Sequence, residues 1–253
     1  MSPAMLPPEK FPAAPARRLS RGRVAALCAV ALVLVTLLFE WTDLDLRVQD
    51  ACYDFGARAW RVDARDAAGR FWFYNGPKAL VWVIGLGVLT LLVGPERWRR
   101  GGGWSRRGLG VAVLTLATLP ALVGLGKKYS NVFCPSEVRR YGGDFPYVKA
   151  FAAYPADDRP EQRGHGFPAG HASGGFALAG FFWARDSRRW RSAVILGALA
   201  LGWWMGGYQM LKGAHYLSHT LTTQLLAPLV AVAWAVLVCP ERAQAEAGAR
   251  RKS

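Results

Sequence analysis

The chain has four histidines, and they fall in two distant stretches: His165 and His171 in one, His215 and His219 in the other. Lys127 and Lys128 precede the first pair, and Lys212 lies three residues before His215. A lone histidine of this kind most often anchors a helix end. Imidazoles and ammonium groups gathered at one depth point instead to a site for an anionic group. Phosphoryl transfer needs such a set: cations on the phosphate oxygens, a nucleophile, and an acid for the leaving oxygen. A neutral imidazole can attack phosphorus, and an imidazolium can protonate a leaving group near neutral pH. Gly170, just before His171, lets backbone approach the anion, and a helix starting there would aim its free N–H groups at it.

The elements that must position these residues are membrane spans. The chain is 52% hydrophobic and carries 32 Lys+Arg against 17 Asp+Glu. Crossing a bilayer takes about 17–25 mostly apolar residues. Runs at 24–40, 79–93, 109–126, 171–184, 193–210 and 221–239 meet or approach this. The second and fourth are short and are expected to borrow flanking residues such as 73–77 and 166–170. The predicted fold class is therefore all-α, a polytopic bundle of six transmembrane helices. Every histidine then lies at span ends or in loops on one face.

The charge distribution orients the bundle. Segments 1–23, 95–107, 185–191 and 240–253 hold 18 of the Lys/Arg and five of the acids, which leaves a net charge near +2 on the opposite side. The positive-inside rule puts the first side in the cytoplasm, with both termini, and the histidines outside. The net charge of +15 is thus topological and does not call for nucleic acid as a partner. The first apolar run is long and ends in Phe39-Glu40-Trp41-Thr42 without small cleavage-site residues, so it reads as a span and not as a signal peptide. Residues 1–23 are predicted to be a disordered basic N-terminus, 24–239 the six-span domain, and 240–253 a cytoplasmic tail.

The outer loops are predicted at 41–78, 127–170 and 211–220. The first mixes Asp43, Asp45, Arg47, Asp50, Asp54, Arg58 and Arg61 with Leu44, Leu46, Val48, Tyr53 and Phe55, an amphipathic pattern suited to a membrane or bundle surface. Aromatics at 71–74 suit an interfacial belt. The second loop is long and rich in Gly and Pro, which favours a functional role. Cys52 and Cys134 both fall outside, and a disulfide between them is possible. No cluster with metal-ligand spacing is visible, so no metal and no cofactor are expected.

At these residues a resemblance appears. The chain resembles the type 2 phosphatidic acid phosphatase superfamily of lipid phosphate phosphatases, relatives of the vanadium haloperoxidases, over about residues 40–240. That family carries K-x6-R-P, then P-S-G-H, then S-R-x5-H-x3-D. Lys127 with Cys134-Pro135 is similar to the first motif, Pro168-Ala169-Gly170-His171 to the second, and Gln209 to His215 with His219 to the third. The resemblance implies His215 as the nucleophile that forms a phosphohistidine, His171 as general acid, and Lys127 with the Ala169 and Gly170 backbone as phosphate ligands.

The chain also departs from the motifs. Cys134 and Gln209 stand where the family has arginine, Ala169 where it has serine, and His219 where it has the aspartate that orients the nucleophile. His219 could fix a tautomer but not supply a negative charge. Lys128, Lys212, Arg139 and Arg140 are the candidate substitutes for the missing cations. For Arg139, Arg140 and Arg163 a solvated-surface reading is equally open, and His165 reads as a surface residue or a second acid. The resemblance implies an enzyme hydrolysing a lipid phosphate or diphosphate, and the span pattern and composition suggest a multi-pass protein of a bacterial inner membrane with its site at the periplasmic face. A lipid-to-lipid phosphotransferase and a non-catalytic lipid-phosphate-binding relative are the alternatives.

Overall fold

The computed structural model describes residues 20–239. The expected cytoplasmic tail 240–253 lies outside the described residues, as does all of the expected N-terminal segment except 20–23. The fold is 71% helical, and five helices are long and apolar enough to cross a membrane. The chain is a membrane protein.

Helix α1 (Arg21–Trp41) starts with the Ser20 hydroxyl accepting the Arg23 N–H. Its flank is bare, with Leu27, Val30, Val33 and Leu34 more than half exposed, as a lipid-facing helix requires. Arg21 Nη1 reaches the last turn of the final helix and donates to the Ala235 carbonyl at 2.9 Å, placing a cation where the helix dipole is negative. The segment that follows contains α2 (Leu44–Asp50) and a two-stranded hairpin of β1 (Tyr53–Asp54) and β2 (Ala59–Trp60). The predicted amphipathic stretch is this compact unit: Asp45 and Gln49 are buried on α2 while Arg47 faces out.

The second span begins earlier than the apolar run suggests. Short α3 (Ala67–Arg70), capped by Asp66, continues through a π-turn, Phe71–Asn75, into α4 (Gly76–Val93). Pro77 cannot donate to a helical ladder, and the wider turn lies immediately before it. Arg99 of α5 (Glu96–Gly102) closes the far end of α4 by donating to the Leu91, Leu92 and Gly94 carbonyls.

The third span is α6 (Arg106–Ser130), ending on Asn131 in the left-handed region. The expected fourth span is short: α7 (Gly170–Ala177) followed by a 3-10 segment, Leu178–Trp183. The flank 166–169 adds no helix, and the Phe167–Pro168 bond is cis. This rod nevertheless matches the height of α6. At one end Gly170 abuts Lys127, and at the other Gly108 fits against the Trp183 carbonyl while Ser105 N–H donates to Ala184 O at 2.9 Å. It is also the most enclosed element, packed against α6, α8 (Arg188–Leu211) and α9 (Leu217–Val238). Glycine makes this possible: a Cβ on Gly175 would lie 2.6 Å from Gly202 N, and one on Gly202 would strike the Phe176 ring. Side-chain bonds lace the bundle, with Trp203 Nε1 donating to Gln224 Oε1 at 2.8 Å and Trp234 Nε1 to Thr118 Oγ1 at 3.1 Å.

Candidate active site

α8 ends in a left-handed turn. Gly213 has φ +78°, a conformation that favours glycine. Its N–H donates to Met210 O at 3.0 Å, and Ala214 N–H to Gln209 O at 2.7 Å, the paired bonds of a Schellman close. His215 N–H donates to the same Gln209 carbonyl at 3.3 Å. α9 begins two residues later and carries His219 in its first turn. His215 and His219 are therefore buried neighbours, 3% and 2% exposed, with ring centroids 5.8 Å apart. The Gly166 carbonyl lies against both rings, and neither Nδ1 has a protein partner. Burial, then the charge of Lys127, holds the His215 imidazole well below the ordinary histidine range, so it is neutral at pH 7.

Lys127 reaches this pair from the end of α6. Its Nζ donates to the His165 carbonyl at 2.9 Å, and His165 Nδ1 lies 3.1 Å from the Lys127 carbonyl, so His165 clamps the lysine from the surface. A Cβ at position 170 would sit 3.0 Å from Lys127 Cε, which is why glycine precedes His171. Gly164 and Gly166 likewise permit segment 164–166 to run directly against the Val132–Phe133 backbone. Lys127 acts electrostatically on His171, His215 and His219 alike.

His171, on the first turn of α7, packs on the Tyr74 ring with centroids 4.0 Å apart. Lys212 Nζ sits between two aromatic faces, 4.9 Å from Tyr74 and 5.2 Å from Tyr208, and its charge reaches His171. Cys134 lies between Lys127 and Lys212 and feels both. Burial and then Glu137 push its thiol up to about 12, so it is an uncharged group where the motif expects a cation. Glu137 also accepts the Cys134 N–H at 2.7 Å. Cys52 and Cys134 are both free thiols, so the possible disulfide is not formed.

Lys127, Lys212, His171, His215 and His219 thus converge with the N-terminus of α7. Other expected residues do not. Arg139 is held in a two-pronged ion pair with Asp158 at 2.6 and 2.7 Å, and Arg140 in another with Asp50 at 2.8 and 2.7 Å; both lie in the exposed part of the loop. Their guanidinium groups are satisfied by carboxylates and do not replace the missing motif arginines. Lys128 is exposed and lies over the Tyr129 ring, a helical step away from Lys127. Arg163 donates to the Tyr129 carbonyl. The Ala169 N–H, expected as a phosphate donor, is committed to the His219 carbonyl at 3.1 Å and fastens α7 to α9, whereas Gly170 opens the helix. Gln209 is 2% exposed, and its Nε2 has no partner. Among the described residues no group of His, Cys, Asp and Glu could hold a metal ion.

Tyr74, Tyr208 and Lys78 were not among the expected site residues. Tyr74 reads in sequence as one more ring of an aromatic belt, and only the π-turn before α4 brings it to His171. Lys78, one turn further on, adds positive charge to the same imidazole.

The family model of the PAP2 superfamily matches residues 108–243, more than half of the chain. No curated protein and no solved structure matches it.

Proposed function

The chain belongs to the PAP2 superfamily, and from that premise we propose that it is a membrane phosphatase acting on a lipid phosphate or diphosphate at the outer face of the membrane. The observation that carries this reading is the neutral, buried His215 beside Lys127, with His171 on the first turn of a helix aimed at the same place. In the first step an imidazole nitrogen of His215 attacks phosphorus. The bond to the leaving oxygen breaks, and His171, protonated once the bound anionic substrate offsets the charges of Lys127 and Lys212, gives that oxygen its proton. In the second step His171 takes a proton from water, which attacks the phosphohistidine and releases phosphate. Lys127, Lys212 and the first N–H groups of α7 stabilise the charge on the phosphoryl oxygens.

The topology belongs to the same proposal. The short rod of α7 and its 3-10 extension has the height of α6, and counting it as a crossing gives six spans. The basic segments then face the cytoplasm and the histidines the periplasm of a bacterial inner membrane. Because the rod is enclosed by longer helices, its length need not match the bilayer.

The test is phosphate release by the purified protein in detergent from phosphatidic acid, phosphatidylglycerol phosphate, undecaprenyl diphosphate and lipid A. Release that disappears in His215→Ala supports the reading. Absence of release from every lipid, with wild type and His215→Ala alike, would sink it. Label passing from one lipid to another, without free phosphate, would make the protein a transferase using the same histidine.

A further inference from the structure

The third motif lacks its aspartate, and His219 leaves His215 without a carboxylate partner from the matched region. A carboxylate does approach this loop, but from the other half of the chain. Asp45 on α2 is 6% exposed, and its oxygens accept the Ser218 N–H at 2.9 Å and the Ser218 hydroxyl. It also meets the Leu217 N–H. Tyr216, at the N-cap of α9, provides no side-chain cap, so the cap comes from Asp45. One helical turn along the same face of α2, Gln49 is fully buried, and its Nε2 donates to the Met210 carbonyl at 2.8 Å. Met210 lies in the last turn of α8 and Ser218 in the first turn of α9. The Trp60 ring covers Gly213 between them so closely that a Cβ there would strike it.

We propose that Asp45 and Gln49 are positioning residues for His215: from one face of α2 they clasp the two helix ends that bracket its loop, and in doing so take over the orienting role of the missing motif aspartate. This rests on the reading of His215 as nucleophile. A nucleophile must stay within a fraction of an ångström of its attack geometry, and a five-residue connection between two long helices does not secure that alone. Burial pushes the Asp45 carboxyl up to about 6, and the bonds from Ser218 and the Leu217 N–H work against that shift. The groups facing it are Glu40 at the end of α1, Tyr147 and Lys149 on the 131–169 loop, and Tyr216 before α9. Both carboxyl oxygens accept from the first turn of α9, and an amide, with a single acceptor oxygen, could not make the same pair of bonds.

The test uses the full-length protein in detergent with Asp45→Asn, Asp45→Ala and Gln49→Ala, phosphatidic acid in mixed micelles as the probe, and melting temperature measured alongside. Asp45→Asn is expected to lower kcat by about 10–100-fold while leaving KM and melting temperature near wild type. Wild-type kcat in Asp45→Asn would overturn the clasp, as would a loss in Asp45→Ala that follows melting temperature and is restored by asparagine. Histidine-labelled NMR adds a readout that does not need turnover. The His215 imidazole, assigned through His215→Ala, is expected as one tautomer in wild type and as a broadened mixture in Asp45→Asn and Gln49→Ala. An unchanged His215 signal in both variants would overturn the clasp even if the enzyme turns over. An inactive wild type with a His215 signal that still responds would overturn the phosphatase reading alone.

Discussion

Residues 108–239 and residues 20–107 meet around one small loop but bring different things to it. The first region, matched by the family model, contributes Lys127, His171, Lys212, His215 and His219. The second is unmatched. It contributes Tyr74 against His171, Trp60 over Gly213, and the Asp45 and Gln49 contacts at either end of the His215 connection. Helix packing follows the same division: α7 is enclosed by α6, α8 and α9, whereas α1 leans on α9 and leaves most of its flank bare. The proposed reacting groups come from the enclosed half, and much of what packs around them comes from the peripheral one. If the proposed clasp holds His215, a site that lacks two arginines and an aspartate is completed from outside its motifs.

The largest effects should come from the enclosed half. Phosphate release in His215→Ala is expected to fall by at least about 10³-fold, and in His171→Ala by about 10²–10⁴-fold, with both proteins still folded. Residual turnover within tenfold of wild type in His215→Ala would remove the phosphohistidine and move the chemistry elsewhere.

Lys127 and Lys128 sharpen the comparison within a single helix turn. Lys127→Ala is expected to cost about 10²-fold in kcat/KM, because its ammonium faces the three site imidazoles. Lys128→Ala should change it by less than about threefold, since that side chain lies out over Tyr129. Equal losses in the two variants would mean that general positive charge at the membrane face, and not a placed cation, governs the rate.

Besides its effect on turnover, the peripheral half should show in how stability depends on pH. The carboxyl of Asp45 is displaced upward, from 3.8 to about 6. An acid held above its unfolded value favours the folded state when protonated, so this contribution is present at low pH and is lost as pH rises through about 6. Its size is on the order of 2–3 kcal/mol at most. Between pH 7.5 and pH 5 the wild type should gain melting temperature relative to Asp45→Asn. The buried histidines are common to both proteins and cancel in the difference. A constant gap across that range would show that Asp45 is not the titrating group.

How much of this could be read in the sequence varies with the physics involved. The long spans could be read because lipid exposure demands unbroken apolar runs, and α1, α6 and α9 lie close to their predicted limits. The second span could be placed, with its borrowed flank 73–77, but its start could not: the helix continues back through a π-turn across Phe71–Asn75 to Ala67, which no hydropathy pattern marks. The motif residues could be found by order and spacing, since Lys127, His171 and His215 sit at helix ends that must share a face. Asp45 and Gln49 could not. Among the twelve charged residues of 41–78, nothing in the spacing singles out the carboxylate that turns inward to α9. A contact across 173 residues of chain is decided by packing.

Arg139 and Arg140 show the same limit from the other side, and theirs is the smallest expected effect. Their position soon after Cys134 made them natural substitutes for the missing guanidinium groups. Yet each is already paired with a carboxylate, Asp158 or Asp50, at the solvent-facing part of the loop. Exposed pairs of this kind contribute little and are screened by salt. Arg139→Gln is expected to leave kcat/KM within about twofold of wild type at moderate ionic strength. Arg140→Gln should do the same for kcat, with a slightly larger effect on stability, because Asp50 closes the α2 helix beside the Gln49 clasp and also accepts the Tyr141 hydroxyl at 2.9 Å. A tenfold or greater loss of kcat/KM in Arg139→Gln, with melting temperature unchanged, would mean that the guanidinium leaves Asp158 when substrate binds. The site would then regain one of its missing cations by a loop movement, and the division between reacting and supporting halves would have to include the 131–169 loop.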